Sequence, residues 1–477
     1  MSEIKDIPKH WQVKQLGKVC DKISLNGIKI KQKDYLKEGR FPVVDQGQEM
    51  IGGYFNDEKL VVPTEPPYII FGDHTKVKKF INFKFIAGAD GVKVLKPHTI
   101  YDPKFFYYLI HTVKIPDKGY ARHFQFLEVE NIPIPPLPEQ QAIVAKIEEL
   151  LSELDNGKQQ LQTAQQQLKV YRQSLLKWAF EGKLTKSWRE SKTDLPTAND
   201  LLIQIERGKE TFYQNQLKEW ENDLKNWIST GQLGKKPSKP KALTIPDKPN
   251  VQQNEKKWNI PKNWIWSQMG TLCFVTKLAG FEYTDYVKYD DNGDLPVLKA
   301  ENVGQLGFKE TVFSKVKTES IKMLTRSQLF GGELIIVFVG AGTGNVAMVP
   351  FNHKYFLGPN IGMARPYFNI NSKYLELFYQ SIFGKNLMLS AVKAVAQPSL
   401  SMGTIRQTPI AFPSIEEQAK IVEELESKLT VCDKIEETIS QSLLQAETLR
   451  QSILKQAFEG KLVNYDLQIK NYETATR

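Results

Sequence analysis

Two stretches of the chain carry the same long apolar stripe. In the first, Ile143, Ile147, Leu150, Leu154, Gly157, Leu161, Ala164, Leu168, Tyr171, Leu175 and Trp178 follow one another at steps of four and three. That is the 3.5-residue spacing of a helix that buries one seam. In the second, Ile421, Leu425, Lys428, Cys432, Ile435, Ile439, Ser442, Ala446, Leu449, Ile453 and Gln456 stand in the same register and make a more polar seam. Pro138 and Pro413 mark the starts, and Gly182 and Gly460 the ends, the usual order of helix punctuation. At about 1.5 Å per residue, a helix of roughly 40 residues is about 60 Å long. A stripe of that length needs a partner, and the pattern predicts that each helix finds it in the other.

The stripes belong to a duplication. Ile143 to Ile421, Arg172 to Arg450 and Gly182 to Gly460 are each 278 apart, and 11 of the 13 positions from 172 to 184 recur unchanged. Ahead of each helix lies a weaker repeat, IPKHWQVKQLGKVC at 7–20 and IPKNWIWSQMGTLC at 260–273, with an offset of 253. The repeated unit is therefore a globular domain followed by a long helix, and the second domain is 25 residues longer than the first.

The globular parts read as short strands punctuated by Gly, Pro and Asp. FPVVDQG, PPYIIFG and FKFIAGADGVKVL in the first domain match the style of LPVLKAENVG, GELIIVFVGAGTGNVAMVPF and NIGMARPYF in the second. PKFFYYLIHTV and SKYLELFYQSIF read as equivalent helices, whereas the turns differ in nearly every residue. Similar scaffolds thus carry different surfaces. The expected organisation is a β-rich domain at 1–136, a long helix at 137–184 and a helical, then Lys/Pro-rich, linker at 185–259. A second β-rich domain at 260–413, a second long helix at 414–462 and a tail at 463–477 complete it. The helical part of the linker, with Leu201, Leu202, Ile205, Phe212, Leu217, Trp220, Leu224 and Trp227, is expected to pack on the end of the coil.

Lys and Arg exceed Asp and Glu by ten, and the isoelectric point is near 9.1. Such an excess suits a polyanionic partner and equally an ordinary solvated surface. The start, MSEIKDIPKHW, has no apolar leader, no apolar run approaches 18 residues, and Cys20, Cys273 and Cys432 form no CxxC pair. These features predict a reduced cytoplasmic protein without membrane spans or structural zinc.

Several motifs invite catalytic readings that their context weakens. Gly340-Ala-Gly342-Thr-Gly344 lacks a Walker lysine and the dinucleotide spacing, so it reads as a tight strand-to-strand turn. Glu65-Pro66-Pro67-Tyr68 resembles the adenine-holding loop of amino-methyltransferases with a longer acid, and reads as a strand entry. The six histidines show no metal-ligand spacing, so neither a catalytic nor a metal site is expected. Basic and amide side chains are the better candidates for contacts to DNA: Lys29, Lys31, Lys33, Lys76, Lys78, Lys79, Arg122 and His123 in the first domain, and Lys299, Asn302, Arg326, Asn345, Lys393, Gln397, Ser399 and Arg406 in the second. Lysines suit phosphates, while Arg, Asn and Gln can make bidentate contacts to base edges.

Taken together, IPIPPLPEQQAIV and IAFPSIEEQAKIV, the two AFEGKL ends, the IPKHW and IPKNW starts and FGGELIIVFVGAGTGNVA resemble the specificity subunits of type I restriction-modification enzymes. The resemblance implies an α+β fold in which two target-recognition domains are joined by an antiparallel coiled coil. It implies a non-catalytic subunit that reads a split, asymmetric site in double-stranded DNA. The partners implied are methyltransferase subunits, in two copies, that bind S-adenosylmethionine and methylate adenine, and restriction subunits that use ATP and Mg, all in a bacterial or archaeal cytoplasm. A self-contained DNA methyltransferase or nuclease, and a coiled-coil scaffold with no DNA role, are the alternatives.

Overall fold

A computed structural model describes residues 7–89, 91–116, 118–119, 121–231, 236–240, 260–368, 370–390 and 399–463. They fall into two compact units, Met1–Gln165 with Glu437–Arg477, and Gln166–Glu436. Both unit boundaries cut the long helices, which run over Leu137–Phe180 and Ile415–Phe458. Each unit therefore contains one β-rich domain and a segment of each long helix. Most of the Lys/Pro-rich linker and the tail from 464 lie outside the described residues.

In the first unit the run Tyr68–Gly72 is buried at every position, as expected for a strand with neighbours on both sides and on both faces. It sits inside a four-stranded antiparallel sheet ordered Cys20–Ile23, Val92–Pro97, Tyr68–Gly72, Lys78–Ile81. A second sheet is ordered Lys29–Ile30, Ile86–Gly88, Phe41–Val44, Gly53–Phe55 and contains parallel pairs on both sides of Ile86–Gly88. A two-stranded clip, Gln12–Gln15 against Asn131–Ile134, joins the domain's ends. Helix Pro103–Thr112 opens on Asp102, whose carboxylate accepts from the amides of Lys104 and Phe105 at 2.9 and 3.0 Å. The helix buries Phe105, Phe106, Leu109 and Ile110 in a core shared with Ile143, Ile147, Ile453 and Phe458 of the long helices.

The second unit repeats this plan. Cys273–Lys277, Ile361–Pro366, Leu334–Val337 and Val346–Met348 form the antiparallel sheet in the same order, and Ile265–Gln268 clips to Pro409–Phe412. Asn371 caps the equivalent helix, Ser372–Gln380, as Asp102 does. The offset between equivalent strands is 253 at Gln12 and Ile265, 266 at Tyr68 and Leu334, 269 at Val92 and Ile361, and 278 at Asn131 and Pro409. About half of the extra length thus lies between Leu298 and Leu334. There the second unit adds a hairpin, Val303–Gly304 with Gly307–Phe308. Its sheet also takes Gln328–Leu329 as an antiparallel edge strand where the first unit has a single antiparallel bridge, Val61 to Ile86, beside the parallel Lys29–Ile30.

Within each unit the two helical segments run antiparallel. Arg450 meets Asp155 at 2.6 Å and Lys158 meets Glu447 at 2.7 Å in the first unit; Arg172 pairs with Asp433 and reaches Glu436 at 3.3 Å in the second. Adding 278 to Asp155 gives Asp433, and subtracting it from Arg450 gives Arg172, so one bridge is made twice with the helices exchanged. That is the signature of an isologous contact.

The seam itself is narrower than the stripe predicts. Ile143, Ile147, Leu168, Leu175, Ile421, Leu425, Ile439 and Ile453 are buried; Leu150, Leu154 and Leu161 are half-buried. Ile435 and Leu449, expected in the seam, are 44% and 51% exposed. The buried centre of the second helix is Leu425, Cys432, Ile439, Ala446 and Ile453, a single position per heptad. Two helices touching without a third neighbour cover only that line. The flanking heptad position is buried at Ile421, where a domain packs on it, but not at Ile435 or Leu449.

The two sequence repeats meet each other at the helix ends. Gly182 and Gly460 have φ of +69° and +71°, and a Cβ there would stand 2.2 Å from Pro261 Cγ and 2.3 Å from Pro8 Cγ respectively. Each AFEGKL end therefore packs on an IPK start, the first helix on the second domain and the second helix on the first. Phe458 stands edge-on to Phe105 at 5.1 Å, as Phe180 does to Tyr374 at 5.6 Å. Behind them, Gln140 accepts from the Asp102 amide at 2.8 Å and donates to Pro135 O at 2.9 Å. Gln418 does the same with Asn371 and Pro413 at 3.1 and 3.0 Å.

The linker helix, Ala198–Ser229, starts with a Thr197/Asp200 capping box and buries Ala198, Leu201, Ile205 and Lys209. Its apolar residues join the core of Phe180, Trp264 and Met269 in the second unit, where the coil end and the domain start come together.

Candidate nucleic-acid interface

Four loops of the first unit are knitted together at one end of its sheets. The Asp73 amide donates to Gly91 O at 2.6 Å, and the His123 amide donates to Asp73 O at 2.8 Å. His74 N donates to Gln46 Oε1 at 3.2 Å, Thr75 Oγ1 donates to Gln46 O at 2.7 Å, and His74 Nδ1 lies 3.1 Å from Ala121 O. The Asp73 carboxylate, nearly buried, accepts from Phe124 N at 2.8 Å and pairs with Lys93 at 3.3 Å. The second unit closes its loops through the same backbone bonds: Phe338 N to Asn360 O at 3.2 Å, and Leu400 N to Phe338 O at 2.8 Å. Conserved backbone closure with different side chains is a suitable platform for two different reading surfaces.

The predicted DNA-contacting residues separate by burial. Lys29, Lys31, Lys33 and Arg122 are exposed. Lys76 lies in the turn between Gly72 and Lys78 with φ of +59°, and Lys78 is half-buried, its ammonium held down to about 8 by burial. Lys79 is instead part of the fold: only 3% exposed, it donates to Asp45 O at 2.9 Å and Glu49 O at 2.5 Å. His123 is fully buried, its Nδ1 3.0 Å from Asp73 O. Neither can reach DNA from these positions, and both are withdrawn as contacts.

In the second unit Asn302 is likewise internal. Its Oδ1 accepts from Lys299 N at 2.9 Å and its amide donates to Thr311 Oγ1 at 2.8 Å, closing the turn it sits in. Asn345 accepts from Lys385 at 2.8 Å and donates to Val303 O at 3.5 Å. Lys299 donates to Ser314 at 2.6 Å and lies over the Tyr289 ring at 4.5 Å. Arg326 pairs with Glu282 at 2.6 Å while remaining about half exposed. Arg406 is exposed and donates to Val275 O at 2.8 Å; Ser399 is exposed and bridges to Val339. Lys393 and Gln397 lie outside the described residues.

The residues with catalytic overtones take structural places. Gly340–Gly344 forms the turn between Leu334–Val337 and Val346–Met348, with Gly344 N donating to Val337 O at 2.9 Å. Glu65 and Pro67 lend their carbonyls to Lys96, and Tyr68 is fully buried at the strand entry. Burial pushes the Cys20 thiol up to about 12, and all three cysteines are buried and unpaired. No group of metal-ligating side chains occurs among the described residues, and no helix among them is long and apolar enough to cross a membrane. Sequence reasoning missed Gln46, Asp73, His74 and Lys93, which organise the first unit's loops. The run Gly72-Asp73-His74-Thr75 between two strands was the available signal.

The type I restriction modification DNA specificity domain matches residues 8–166 and 275–445. The specificity subunit of the type I restriction enzyme EcoKI of Escherichia coli K12 is 26% identical over 338 residues, 70% of this chain and 58% of that protein. The EcoDI specificity subunit of Escherichia coli is 23% identical over 468 residues, 96% of this chain and 89% of that protein. The match thus spans a little over half of the EcoKI subunit and most of the EcoDI subunit. The fold is similar to that of a chain from a structural study of complex assembly and conformational transition in a type I R-M system, with a TM-score of 0.59 and 15% identity over 95% of this chain and 99% of the other. It is also similar to the HsdS subunit of Thermoanaerobacter tengcongensis, with a TM-score of 0.51 and 16% identity over 95% and 98%. With both of its repeats matched, the chain belongs to the type I restriction-modification DNA specificity family.

Proposed function

We propose that this chain is the DNA-recognition subunit of a type I restriction-modification complex, and that each unit reads one half of a bipartite, asymmetric site in duplex DNA. The observation that carries this reading is the duplicated scaffold: equivalent strands, caps and helix-end joints hold loop sets that share almost no residues. Two scaffolds of one plan suit the approximate dyad of duplex DNA, and two unlike loop sets suit two unlike half-sites. Two modest binders on one chain also bind more tightly than either alone.

On this reading the chain selects the site and does no bond-making chemistry. Two methyltransferase subunits carry S-adenosylmethionine and extrude the target adenine from the stack; restriction subunits carry ATP and Mg. The exposed lysines at 29, 31 and 33 and Arg122 supply backbone contacts on the first half-site, and Arg326, Ser399 and Arg406 are candidates on the second. The test is to co-express the chain with the methyltransferase subunit of its own system and map N6-methyladenine across the host DNA. A split motif with one methylated adenine on each strand is expected; an intact, cofactor-loaded complex that leaves no motif would overturn the reading.

A further inference from the structure

The edge of the antiparallel sheet is treated differently in the two units. In the second, the edge strand is Val346–Met348, and the inserted hairpin Val303–Phe308 packs against it. Asn345, just before that strand, donates to Val303 O. Gly307 lies so close to helix Ser372–Gln380 that a Cβ on it would be 2.9 Å from Glu376 Oε1 and 3.2 Å from Gln380 Nε2. The chain covers this edge with its own backbone, one of the ways proteins protect an exposed strand.

In the first unit the corresponding strand is Lys78–Ile81, and no hairpin occupies the equivalent place among the described residues. Gly72 N donates to Val77 O as Val337 N donates to Asn345 O, so Lys78 stands where Val346, the first residue of the covered edge strand, does. Counting from the caps Asp102 and Asn371, Tyr107 and His111 stand where Glu376 and Gln380 do. The result is a cleft of about 380 Å³ bounded by Gln48, Thr75, Lys76, Lys78, Tyr107 and His111, with no acidic residue on its wall.

The charge of this cleft is one-sided. Lys78 has no carboxylate within ion-pair distance among the described residues, and burial holds its ammonium down to about 8. Burial, then Lys78, then Arg450, hold His111 down to about 4, so the imidazole is neutral near pH 7 and faces two cations. Its ring lies edge-on to Tyr107 at 4.7 Å. A desolvated cation beside neutral N–H and O–H donors, with no carboxylate lining the cleft among the described residues, is a site that an anionic oxygen group completes. Thr75 belongs to the turn that ties down Gln46, so the cleft adjoins the loop cluster described above.

We propose that this cleft seats one phosphodiester of the DNA backbone, with Lys78 supplying the charge, and that the second unit lacks the contact because the hairpin Val303–Phe308 occupies its place. The proposal rests on the reading of the chain as a DNA-recognition subunit. It makes the grip on the two half-sites unequal: the first carries an ionic anchor without a counterpart in the second. Such a contact neutralises charge and carries no base information, so it acts on affinity and salt dependence and leaves the sequence preference alone.

The experiment measures binding of the full chain, assembled with its methyltransferase partner, to a duplex carrying the mapped motif, across a series of salt concentrations. Lys78→Gln is expected to reduce the slope of log affinity against log salt by about 0.9 and to weaken binding about fivefold near 0.15 M salt. Lys78→Arg is expected to restore the slope. In parallel, uncharged methylphosphonates placed one at a time in the DNA should reveal a sensitive phosphate in the first unit's half-site with no equivalent in the other half. This arm uses the unaltered protein and does not depend on any variant folding. A wild-type complex that fails to bind the duplex would refute the recognition reading itself. Binding with an unchanged slope in Lys78→Gln, equal phosphate sensitivity in the two halves, or an altered methylation motif in Lys78→Gln would each overturn the anchor.

Discussion

The two units hold their helix ends with the same residues and unequal force. In the second, buried Glu417 accepts from Trp264 Nε1 at 2.8 Å, Asn263 at 3.1 Å, Thr185 at 2.8 Å and Arg189 at 2.5 Å. In the first, the side chain of the equivalent Glu139 meets His10 alone, at 3.0 Å, among the described residues, and buried Trp11 Nε1 has no partner among them. Arg189 comes from the helix following the first AFEGKL, and the second copy continues instead as VNYDLQ. Duplication therefore fixed the joint, and the linker between the units reinforced one copy of it. The same division holds at the surface, where backbone closures are shared and the loops are not.

This difference can be broken most forcefully at Glu417. Glu417→Ala strands the Arg189 guanidinium and should lower the stability of the second unit by about 3–5 kcal/mol. Glu139→Ala should cost about 1 kcal/mol, because it removes a single contact to a half-exposed histidine. Denaturant unfolding of the two variants checks the contrast, and equal losses would contradict it. The helix-end glycines should behave alike. Gly182→Ala and Gly460→Ala each place a side chain in a left-handed backbone costing about 1–2 kcal/mol, with a clash against Pro261 or Pro8 added. A loss confined to one of them would show that the joints differ in geometry and not only in hydrogen bonding.

The smallest contrast lies in the coil. Arg172 is mostly buried and has two acidic partners, whereas Arg450 is one-third exposed and has one. Arg172→Ala should cost about 1 kcal/mol and Arg450→Ala a few tenths, read from thermal melts at low and high salt, with only the former resisting salt.

The fold was legible in the sequence where repetition constrained it. A gapless 278-residue offset gave the helices, and the IPK and AFEGKL repeats gave the domain starts and helix ends. That these repeats touch each other was not legible, because the contact depends on each helix crossing to the other domain. The seam was overdrawn at Ile435 and Leu449, since a heptad pattern does not say how many neighbours a helix has. Lys79 illustrates a missed local signal: in the strand Lys78–Ile81 side chains alternate, and buried Ile81 puts Lys79 inward and Lys78 toward the cleft. Asn302 was misplaced because a short amide that closes its own turn looks, in sequence, like one free to read a base. The extra length of the second domain was visible, but its hairpin was not, because the turns of the two domains share too few residues to align.

The most direct test of two independent readers on one repeated scaffold is a domain exchange. Residues 7–134 are replaced by the equivalent domain of another family member, the helix ends and residues 135–477 are kept, and methylated adenines are mapped in the assembled complex. The account predicts a motif changed in one half only, with the other half retained. A motif altered in both halves, or in neither while methylation continues, would contradict it.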